Sequence, residues 1–502
     1  MSDVTPIGTI QFREREIKFG VKRDDRRRHM YVIGKTGSGK TTLLENLIIN
    51  DIKTKEGIGY MDPHGDSVKR ILKYIPKERI QDVIYFNPAD TNHPISFNPL
   101  EGVSWDYRHL VASSILSVFK KIWIDAWSAR MEYILTNTLL ALLEFGNSSL
   151  LDINRMLGDD EFRKNRVKRL RDPVIKAFWE QEFAKYHLNF RIEAIAPIQN
   201  KVGQFIANPL IRNIIGQEKS SLDLRKVMDE KKIFLANLSK GLLGEESSML
   251  LGGLLITTFQ LAAMSRVDVE EEERKDFYLY IDEFQNFSTE SFVGILSEAR
   301  KYRLNLILAH QYLDQVIEEI MNSVFGNVGT FIVFKTGSID AERFEKEYGD
   351  VYIDEFVNLP KYYAYVKLLV DGITSRPFLA ITYPNPTIPE QTFENEIVKY
   401  SRLKYGENID VIETRIASHY SKDIPDRERI VMYCENCHQE FATNKNNPSK
   451  VCQDCQSFKK DTGLSLKNIA EDTFIEPMKK ERKPKEEIDQ LKSLIKKLQK
   501  DD

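Results

Sequence analysis

The sequence contains no uninterrupted apolar run of about 18 residues, the shortest length expected of a transmembrane helix. Its two most apolar stretches, Ile134–Leu143 and Met249–Met264, are shorter and contain Thr, Asn or Gln, which favours buried helices. The N-terminus, MSDVTPIGTIQFRERE, is polar and unlike a secretory signal peptide. We therefore expect a cytoplasmic protein with no membrane span of its own, or one peripheral to a membrane-bound partner.

Cysteine is scarce, with four residues in the whole chain, and all four lie near the C-terminus. They form two C-x₂-C pairs separated by fourteen residues, a spacing typical of a tetrahedral zinc ribbon or knuckle. Disulfides are the alternative, and the absence of a secretory signal disfavours them. We predict a zinc ribbon over residues 429–460 whose Zn²⁺ ligands are Cys434, Cys437, Cys452 and Cys455.

The sequence also lacks an excess of basic residues, because its formal net charge at pH 7 is −3. Composition alone therefore does not indicate a nucleic-acid-binding protein, and any DNA contact has to be a local patch or the inside of a ring. Residues 26–28 (RRR) form either a solvated turn or a charge donor to nucleotide or DNA. The basic cluster Lys164–Arg171 is compatible with a solvated helix face and with a nucleic-acid contact.

One glycine-rich loop organises the chain. Residues 34–41 read GKTGSGKT and fit the phosphate-loop pattern G-x-x-x-x-G-K-[ST] at every fixed position. An apolar strand ends at Ile33 before it, and Leu43–Ile49 reads as a helix after it, which is the context this loop requires. Backbone N–H groups and the helix N-terminus then point at the phosphates. We expect the nucleotide to be bound by Gly34, Thr36, Gly37, Ser38, Gly39, Lys40, Thr41 and Thr42.

Two residues of this loop have distinct predicted roles. Lys40 should reach the β- and γ-phosphates, and the Thr41 hydroxyl should hold Mg²⁺. A second pair of polar groups comes directly after the continuous apolar strand Phe277–Ile281. Asp282 stands where a further Mg²⁺-directed carboxylate belongs, and Glu283 could polarise the water that attacks the γ-phosphate. The alternative is a pair of acidic residues that merely ends a strand.

Two further residues complete the predicted catalytic set. Gln311 ends the next strand, Leu304–Gln311, which would bring its amide beside the γ-phosphate as a sensor. Arg300 lies near the end of the intervening predicted helix, Ser288–Tyr302, at the edge of the α/β unit. From there an arginine can reach a neighbour's nucleotide and stabilise charge on its γ-phosphate. An ordinary surface arginine is the alternative, and spacing alone does not decide between them.

Strands and helices alternate through most of the chain, which predicts a mostly parallel sheet covered on both faces. Between about Trp105 and Met228, apolar residues instead recur every three or four positions, which indicates an inserted all-α domain. The predicted organisation is an N-terminal segment (1–30), an ATPase core (31–104 and 229–385), the all-α insertion (105–228), a helical extension (386–428), the zinc ribbon (429–460), and a charged tail with a short amphipathic helix (461–502).

Five segments together resemble the HerA/FtsK superfamily of RecA-like motor ATPases: HMYVIGKTGSGKTTLL, YMDPHGD, LYIDEFQNF, SEARKYRLNLILAHQ and SRLKYG. Within it, the chain is most similar to the cytosolic part of type IV secretion coupling proteins, which pump DNA in conjugation. The similarity spans roughly residues 7–415. It implies an α/β fold with a RecA-like P-loop sheet of the additional-strand type, ATP and Mg²⁺ as cofactors, and a homo-hexameric ring with DNA through its pore.

The resemblance also assigns residues. Asp282 and Glu283 are the Walker B pair. Arg300, 17 positions after Glu283, is the finger acting in trans, and Gln311, 28 positions after Glu283, is the sensor. Arg28, 12 positions before Lys40, matches a second arginine implicated in this family.

Three activities remain open from the sequence. The first is an ATP-driven translocase of DNA, single- or double-stranded. The second is a motor that delivers protein substrates, such as a relaxase-type partner. The third is an ATP-dependent switch whose zinc module docks partners and which moves no DNA.

Overall fold

A computed structural model describes residues 3–420, 429–435, 440–444 and 449–452. The chain forms two compact units. The first comprises the residues up to Asp90 together with Ile95–Tyr405, and the second comprises Thr91–Pro94 together with the residues from Gly406 onward. The predicted tail (461–502) and two predicted zinc ligands, Cys437 and Cys455, lie outside the described residues.

The strands of the first unit are β1 (Val4–Phe12), β2 (Arg15–Lys22), β3 (Met30–Ile33), β4 (Gly57–Asp62), β5 (Val83–Phe86), β6 (Ile233–Asn237), β7 (Phe277–Ile281), β8 (Leu304–His310), β9 (Thr330–Val333), β10 (Tyr363–Lys367), β11 (Leu369–Val370), β12 (Ile373–Thr374) and β13 (Phe378–Thr382). Eleven of them form one sheet in the order β2-β1-β13-β10-β9-β3-β8-β7-β4-β6-β5. The remaining two, β11 and β12, pair with each other.

The helices are α1 (Arg23–Arg26), α2 (Lys40–Lys53), α3 (Asp66–Leu72), α4 (Arg108–Ile122), α5 (Ala129–Leu143), α6 (Asp152–Gly158), α7 (Asp160–Val167), α8 (Pro173–Ala177), α9 (Leu188–Ala207), α10 (Pro209–Ile215), α11 (Leu224–Asp229), α12 (Lys240–Leu243), α13 (Glu245–Met264), α14 (Phe292–Glu298), α15 (Glu318–Asn327), α16 (Ser338–Tyr348), α17 (Ile353–Val357), α18 (Glu394–Tyr405) and, in the second unit, α19 (Ile409–Tyr420).

The strands from β9 to β5 run parallel, as predicted from the alternation of strands and helices. Every residue of β3, β4, β7 and β8 is buried, as expected for strands of a parallel sheet that is covered on both faces. Because the strands are parallel, their carboxyl ends meet at one edge of the sheet, where ligands bind in open α/β folds. The phosphate loop and residues 282–283 and 311 all come after strands at this edge.

The other side of the sheet is antiparallel and includes residues that were predicted to form a separate N-terminal segment. β1 pairs with β13, with Gly8 opposite Thr382, and β2 continues the sheet beyond β1. We did not predict β2, because half of its side chains are exposed and only Val21 is buried, so its sequence carries little apolar signal. Most of residues 1–30 thus belongs to the sheet.

Residues 105–229 contain helices and no strand, namely α4 to α11 with short 3₁₀ and π turns, over nearly the span of the predicted all-α insertion (105–228). This helical block packs against α13: Val118 of α4 lies so close to Gly253 of α13 that a Cβ at Gly253 would be 3.0 Å from a Val118 methyl group. Within the block, Trp123 is buried and stacks on Phe119 and Phe205. The block and the sheet therefore share one hydrophobic core.

In the described part of the chain, a single helical segment is long and apolar enough to cross a membrane, by length and composition only. It is Glu245–Asp268, which comprises α13 and the 3₁₀ turn after it, and 67% of its apolar window is buried within the fold. Such burial is the pattern of a core helix, which agrees with the interpretation of Met249–Met264 as a buried helix.

The second unit contains α19 and a hairpin of β14 (Arg429–Tyr433) and β15 (Glu440–Asn444), paired from Arg429↔Asn444 to Tyr433↔Glu440. Val411, Cys434 and Cys452 are buried together in its core. The predicted helical extension (386–428) is divided, since α18 belongs to the first unit and α19 to the second.

Candidate nucleotide-hydrolysis site

The phosphate loop has a backbone that only glycine adopts easily. Gly37 and Gly39 have φ angles of 79° and 123°, in the region that disfavours side chains. A Cβ at Gly34 would lie 2.6 Å from Cβ of Phe334, so this position also has no room for a side chain. Helix α2 begins at Lys40, and its N-terminal N–H groups face the loop. The predicted strand–loop–helix arrangement is present.

Lys40 lies inside this loop. Its Nζ donates hydrogen bonds to the carbonyl oxygens of Gly34 (2.5 Å) and Lys35 (3.3 Å). Burial lowers the pKa of the Lys40 ammonium, and the nearby carboxylates of Asp282 and Glu283 oppose that effect. The loop thus holds a cation where phosphate oxygens are expected to bind.

Thr41 and Asp282 meet at the ends of α2 and β7. The Thr41 hydroxyl donates to Oδ2 of Asp282 at 3.2 Å, and Oδ1 of Asp282 accepts the backbone N–H of Glu283 at 2.9 Å. Burial raises the pKa of Asp282 to about 6, with the carboxylates of Glu283 and Asp62 adding to the effect and Lys40 opposing it. A hydroxyl and a carboxylate in a negative field are the hard oxygen donors that suit Mg²⁺.

Glu283 and Gln311 are joined side chain to side chain. Gln311 Nε2 donates to Glu283 Oε1 at 2.8 Å, and Thr36 of the phosphate loop donates to Gln311 Oε1 at 3.1 Å. The other carboxylate oxygen of Glu283 accepts from Gln285 Nε2. Glu283 has a left-handed backbone (φ 47°), a conformation often found at functional sites when a residue other than glycine adopts it. Two side-chain amides therefore hold the carboxylate, and Thr36 holds one of these amides.

The DPHGD segment forms the turn from β4 into α3. Oδ1 of Asp62 accepts the N–H of His64 at 2.9 Å, and Oδ2 accepts the N–H of Val68 at 3.0 Å. Gly65 has a left-handed φ of 84°, and a Cβ there would lie 2.2 Å from Oδ1 of Asn237. Asp62 thus shapes the turn and adds negative charge beside Asp282.

Residues 18–359 match the family model of the type IV secretion-system coupling protein DNA-binding domain. The chain belongs to this family. Its sequence resemblance to coupling-type motor ATPases is thereby confirmed, and family membership agrees with the phosphate loop and its strand-end carboxylates.

Solved structures of coupling proteins share the fold. The unbound bacterial conjugative coupling protein TrwB has 15% identity and a TM-score of 0.54, over 77% of this chain and 90% of that chain. Plasmid coupling protein TrwB in complex with ADP and Mg²⁺ has 16% identity and a TM-score of 0.55, over 75% and 90%. VirB4 of Thermoanaerobacter pseudethanolicus has 11% identity and a TM-score of 0.53, over 77% and 97%. No curated protein sequence matches this chain significantly.

In this member of the coupling-protein family, Arg28 and Arg300 do not reach the phosphate loop of their own chain. Arg28 precedes β3 and Arg300 precedes β8, so both lie at the amino edge of the sheet, opposite the phosphate loop. Arg300 is exposed, and its positive charge acts on the buried His29 beside it. Any contact with a nucleotide would therefore be made with another copy of the chain, and the predicted roles of both arginines stay predictions.

Arg26 and Arg27 fit neither of the two interpretations given for residues 26–28, a solvated turn or a charge donor to nucleotide or DNA. Arg26 is buried and makes a bidentate pair with Asp51 of α2, both bonds at 2.7 Å, while stacking 3.9 Å above Tyr278 of β7. Arg27 pairs with Asp276 at 2.8 Å. Neither is a solvated turn residue or a free charge donor, because both anchor the start of β3 to neighbouring elements.

Sequence reasoning missed Tyr362, which lies directly against the phosphate loop. Its N–H donates to the carbonyl oxygen of Ser38 at 2.9 Å, and its ring lies 3.0 Å from the position that a Cβ on Gly39 would occupy. Tyr362 itself has a left-handed φ of 72°. Apart from being one of two adjacent tyrosines before a strand, it carries no sequence signal that points to the loop.

Two of the four predicted zinc ligands lie within the described residues. Cys434 and Cys452 are buried, are not joined in a disulfide, and the N–H of Cys452 donates to Sγ of Cys434 at 3.2 Å. A backbone N–H directed at a buried sulfur fits a thiolate ligand. In the described ranges no group of three potential metal ligands comes together, and Cys437 and Cys455 lie outside those ranges.

Proposed function

We propose that this chain is an ATP-hydrolysing motor that translocates DNA as a homo-hexameric ring. The observation that carries the proposal is the hydrogen-bonded connection from Thr36 of the phosphate loop through Gln311 to Glu283. This connection links the segment that would hold phosphate to the carboxylate that would activate water. TrwB has been solved with ADP and Mg²⁺ and with a non-hydrolysable ATP analogue, which supports a nucleotide at the same loop here.

Each residue has a defined part in this proposal. The loop N–H groups and Lys40 bind the phosphates, and Thr41 and Asp282 hold Mg²⁺, which neutralises phosphate charge when bound. Glu283 accepts a proton from the attacking water, and the amides of Gln311 and Gln285 keep its carboxylate from rotating away.

The positions of Arg28 and Arg300 support assembly. Both lie at the amino edge of the sheet, so they can stabilise charge on a γ-phosphate only in a neighbouring copy. That arrangement suits a ring whose active sites are completed at subunit interfaces; the number six comes from the family resemblance.

DNA is the proposed substrate of movement, and the family description names a DNA-binding domain. The cluster Lys164–Arg171 spans the end of α7 and the turn after it within the helical block, and its Lys164, Lys168, Arg169 and Arg171 are exposed. The fifth basic residue, Arg166, is half-buried over Phe145 and Phe162. The four exposed cations are the proposed entry patch for phosphates.

The deciding experiment measures ATPase rate, particle size and directional translocation, each with no DNA, single-stranded DNA and double-stranded DNA. We expect DNA-stimulated hydrolysis, a hexamer-sized particle, and a log–log salt slope of about −4 or steeper, which corresponds to roughly five phosphates. Lys168→Glu with Arg169→Glu should weaken DNA binding more than ATP binding. The matched control reverses two exposed lysines elsewhere in the block, Lys185→Glu with Lys226→Glu.

The outcomes discriminate between the candidate functions. An ATPase that binds no DNA at low salt, with a nucleotide analogue present, would replace the translocase by the partner-docking switch. Loss of hydrolysis under every condition would overturn the enzyme assignment itself. Cytoplasmic location and a relaxase-type protein partner remain part of the proposal.

We further propose that the second unit binds Zn²⁺ through Cys434, Cys437, Cys452 and Cys455. The support is the spacing of the four cysteines together with the burial of Cys434 and Cys452 and the N–H···S bond between them. Bound zinc would fix this small unit, which has few buried apolar residues of its own among those described.

A further inference from the structure

One lysine of the helical block reaches the loop that carries the catalytic glutamate. Lys121 is on α4, and its Nζ donates to the carbonyl oxygens of Gln285 and Ser288, at 2.5 Å each, and to Oγ of Ser288 at 3.2 Å. The loop that it binds begins immediately after Glu283 and includes the 3₁₀ turn Phe284–Asn286. Three acceptors from one short loop thus converge on a single ammonium group.

This contact continues to the carboxylate. Gln285, whose backbone carbonyl binds Lys121, uses its side-chain amide to hold Oε2 of Glu283. Two consecutive hydrogen bonds therefore connect α4 of the helical block to Glu283. Gln311 holds the other carboxylate oxygen, Oε1, of Glu283. The Lys121–Gln285 connection therefore controls the position of the Oε2 oxygen.

Lys121 does not have the surroundings of an ordinary surface lysine. Within the described residues it forms no ion pair, whereas the adjacent Lys120 makes an exposed pair with Glu290 at 2.9 Å. Besides Glu283 itself, the charged groups around the loop are Lys240, which binds Asn286 and Glu245, and the Lys120–Glu290 pair. Burial lowers the pKa of Lys121 to about 8, and the positive charge of Lys240 contributes in the same direction.

We propose that Lys121 is a positioning residue, supplied by the helical block, that orients Glu283 for hydrolysis through the 284–288 loop. The inference rests on the proposed ATPase function. A partly buried ammonium bound only to neutral acceptors loses hydration without the attraction of a carboxylate. The carbonyls that it binds belong to a loop that begins after Glu283, whose backbone is left-handed, so the ammonium stabilises an otherwise unfavourable loop conformation.

The test uses the full chain and compares Lys121→Met, Lys121→Arg and the matched control Lys120→Met. We expect Lys121→Met to lower kcat by about tenfold or more while KM and nucleotide affinity change by less than about twofold, because the loop acts on water activation and not on phosphate binding. Lys120→Met should behave like the unmodified protein, since it removes only an exposed pair.

The pH dependence provides a second readout that a merely structural lysine would not alter. In the unmodified protein, kcat should fall as pH rises through about 8, because the ammonium then loses its proton. Lys121→Arg keeps its charge at this pH, so this alkaline decline should disappear. If Lys121→Met fails to fold, the comparison of the unmodified protein with Lys121→Arg decides the question.

A double-mutant cycle that combines Lys121→Met with Gln285→Leu tests whether Lys121 acts on Glu283 through Gln285. If Lys121 acts through Gln285, the combined variant should be no slower than the slower single variant. Unchanged kcat in Lys121→Met, equal losses in Lys120→Met, additive losses in the cycle, or an unaltered alkaline decline in Lys121→Arg would each overturn the inference. A chain with no ATPase activity in any form would instead refute the proposed function.

Discussion

The side-chain amide of Gln311 donates a 2.8 Å hydrogen bond to Oε1 of Glu283, across the carboxyl ends of the neighbouring strands β8 and β7. The other end of the same amide accepts from Thr36 of the phosphate loop. A conformational change in the phosphate loop can therefore alter the position of the Glu283 carboxylate through the Gln311 side chain. This geometry gives the sensor role of Gln311 a physical route and separates it from phosphate binding by Lys40.

The first prediction concerns this separation of roles. Lys40→Ala should abolish nucleotide binding, whereas Glu283→Gln should bind ATP normally and trap it unhydrolysed. Gln311→Ala should retain nucleotide affinity and lower kcat by about 10- to 100-fold, because Glu283 loses one of its two amide partners. Equilibrium binding of ATP and steady-state hydrolysis measure the two effects. Near-normal turnover in Glu283→Gln would remove that residue from the active site.

The second prediction concerns completion of the site between copies. Arg300→Ala should leave ATP binding intact but lower hydrolysis by about 10³-fold, the scale known for arginine fingers. Mixing it with Glu283→Gln subunits should restore part of the activity, because some interfaces then contain both intact residues. The control is Lys301→Ala, which removes a neighbouring exposed cation. A loss of less than about threefold in Arg300→Ala would identify an ordinary surface arginine on this scale.

Much of the site was predictable because its residues obey local rules. The phosphate loop is recognised by its spacing, and Asp282, Glu283 and Gln311 are recognised as polar residues at the carboxyl ends of buried parallel strands. The burial of Arg26 was not predictable, because its partner Asp51 is on another helix and only the fold brings them together. The same applies to Tyr362, whose partner Ser38 is more than 300 positions away in the sequence.

Features at the margins of the fold were also harder to predict. Strand β2 is an edge strand in which only Val21 is buried, so it lacks the apolar alternation by which strands are recognised. Lys121 lies in a helix whose periodicity predicts burial of one face but not which loop that face meets. For Lys121 the missing information is a long-range contact, which one sequence does not encode in any local window.

The third prediction concerns two buried histidines. Burial lowers the pKa of His29 to about 4 and that of His310 to about 3, so both stay neutral in the folded protein at pH 5. Unfolded histidines take up a proton near pH 6.5. Below that pH the unfolded chain binds more protons than the folded one, so the free energy of unfolding decreases as pH falls. Each histidine contributes up to about 1.4 kcal/mol per pH unit between roughly 6 and 4.5.

The measurement is the urea midpoint at several pH values between 7.5 and 4.5. His29→Asn should flatten the decline, because asparagine can replace the acceptor that His29 Nδ1 offers to the N–H of Leu306 and tolerates the left-handed φ of 63° at this position. His109→Asn, which changes an exposed histidine on α4, is the control and should leave the decline unchanged. Equal pH dependence in all three proteins would show that His29 takes up its proton without unfolding.

The last prediction concerns the metal. Purified protein should contain one zinc per chain, and Cys434→Ser should lose most of it, because Cys434 is a buried thiol that already accepts the N–H of Cys452. Removing zinc with a chelator should make residues 430–460 sensitive to protease, since ligand binding and folding of so small a unit are coupled. ATP hydrolysis should survive this treatment, because the eleven-stranded sheet lies entirely within the first unit, before Gly406. Elemental analysis that finds no zinc, together with four thiols paired as disulfides, would refute the metal site while leaving the motor assignment intact.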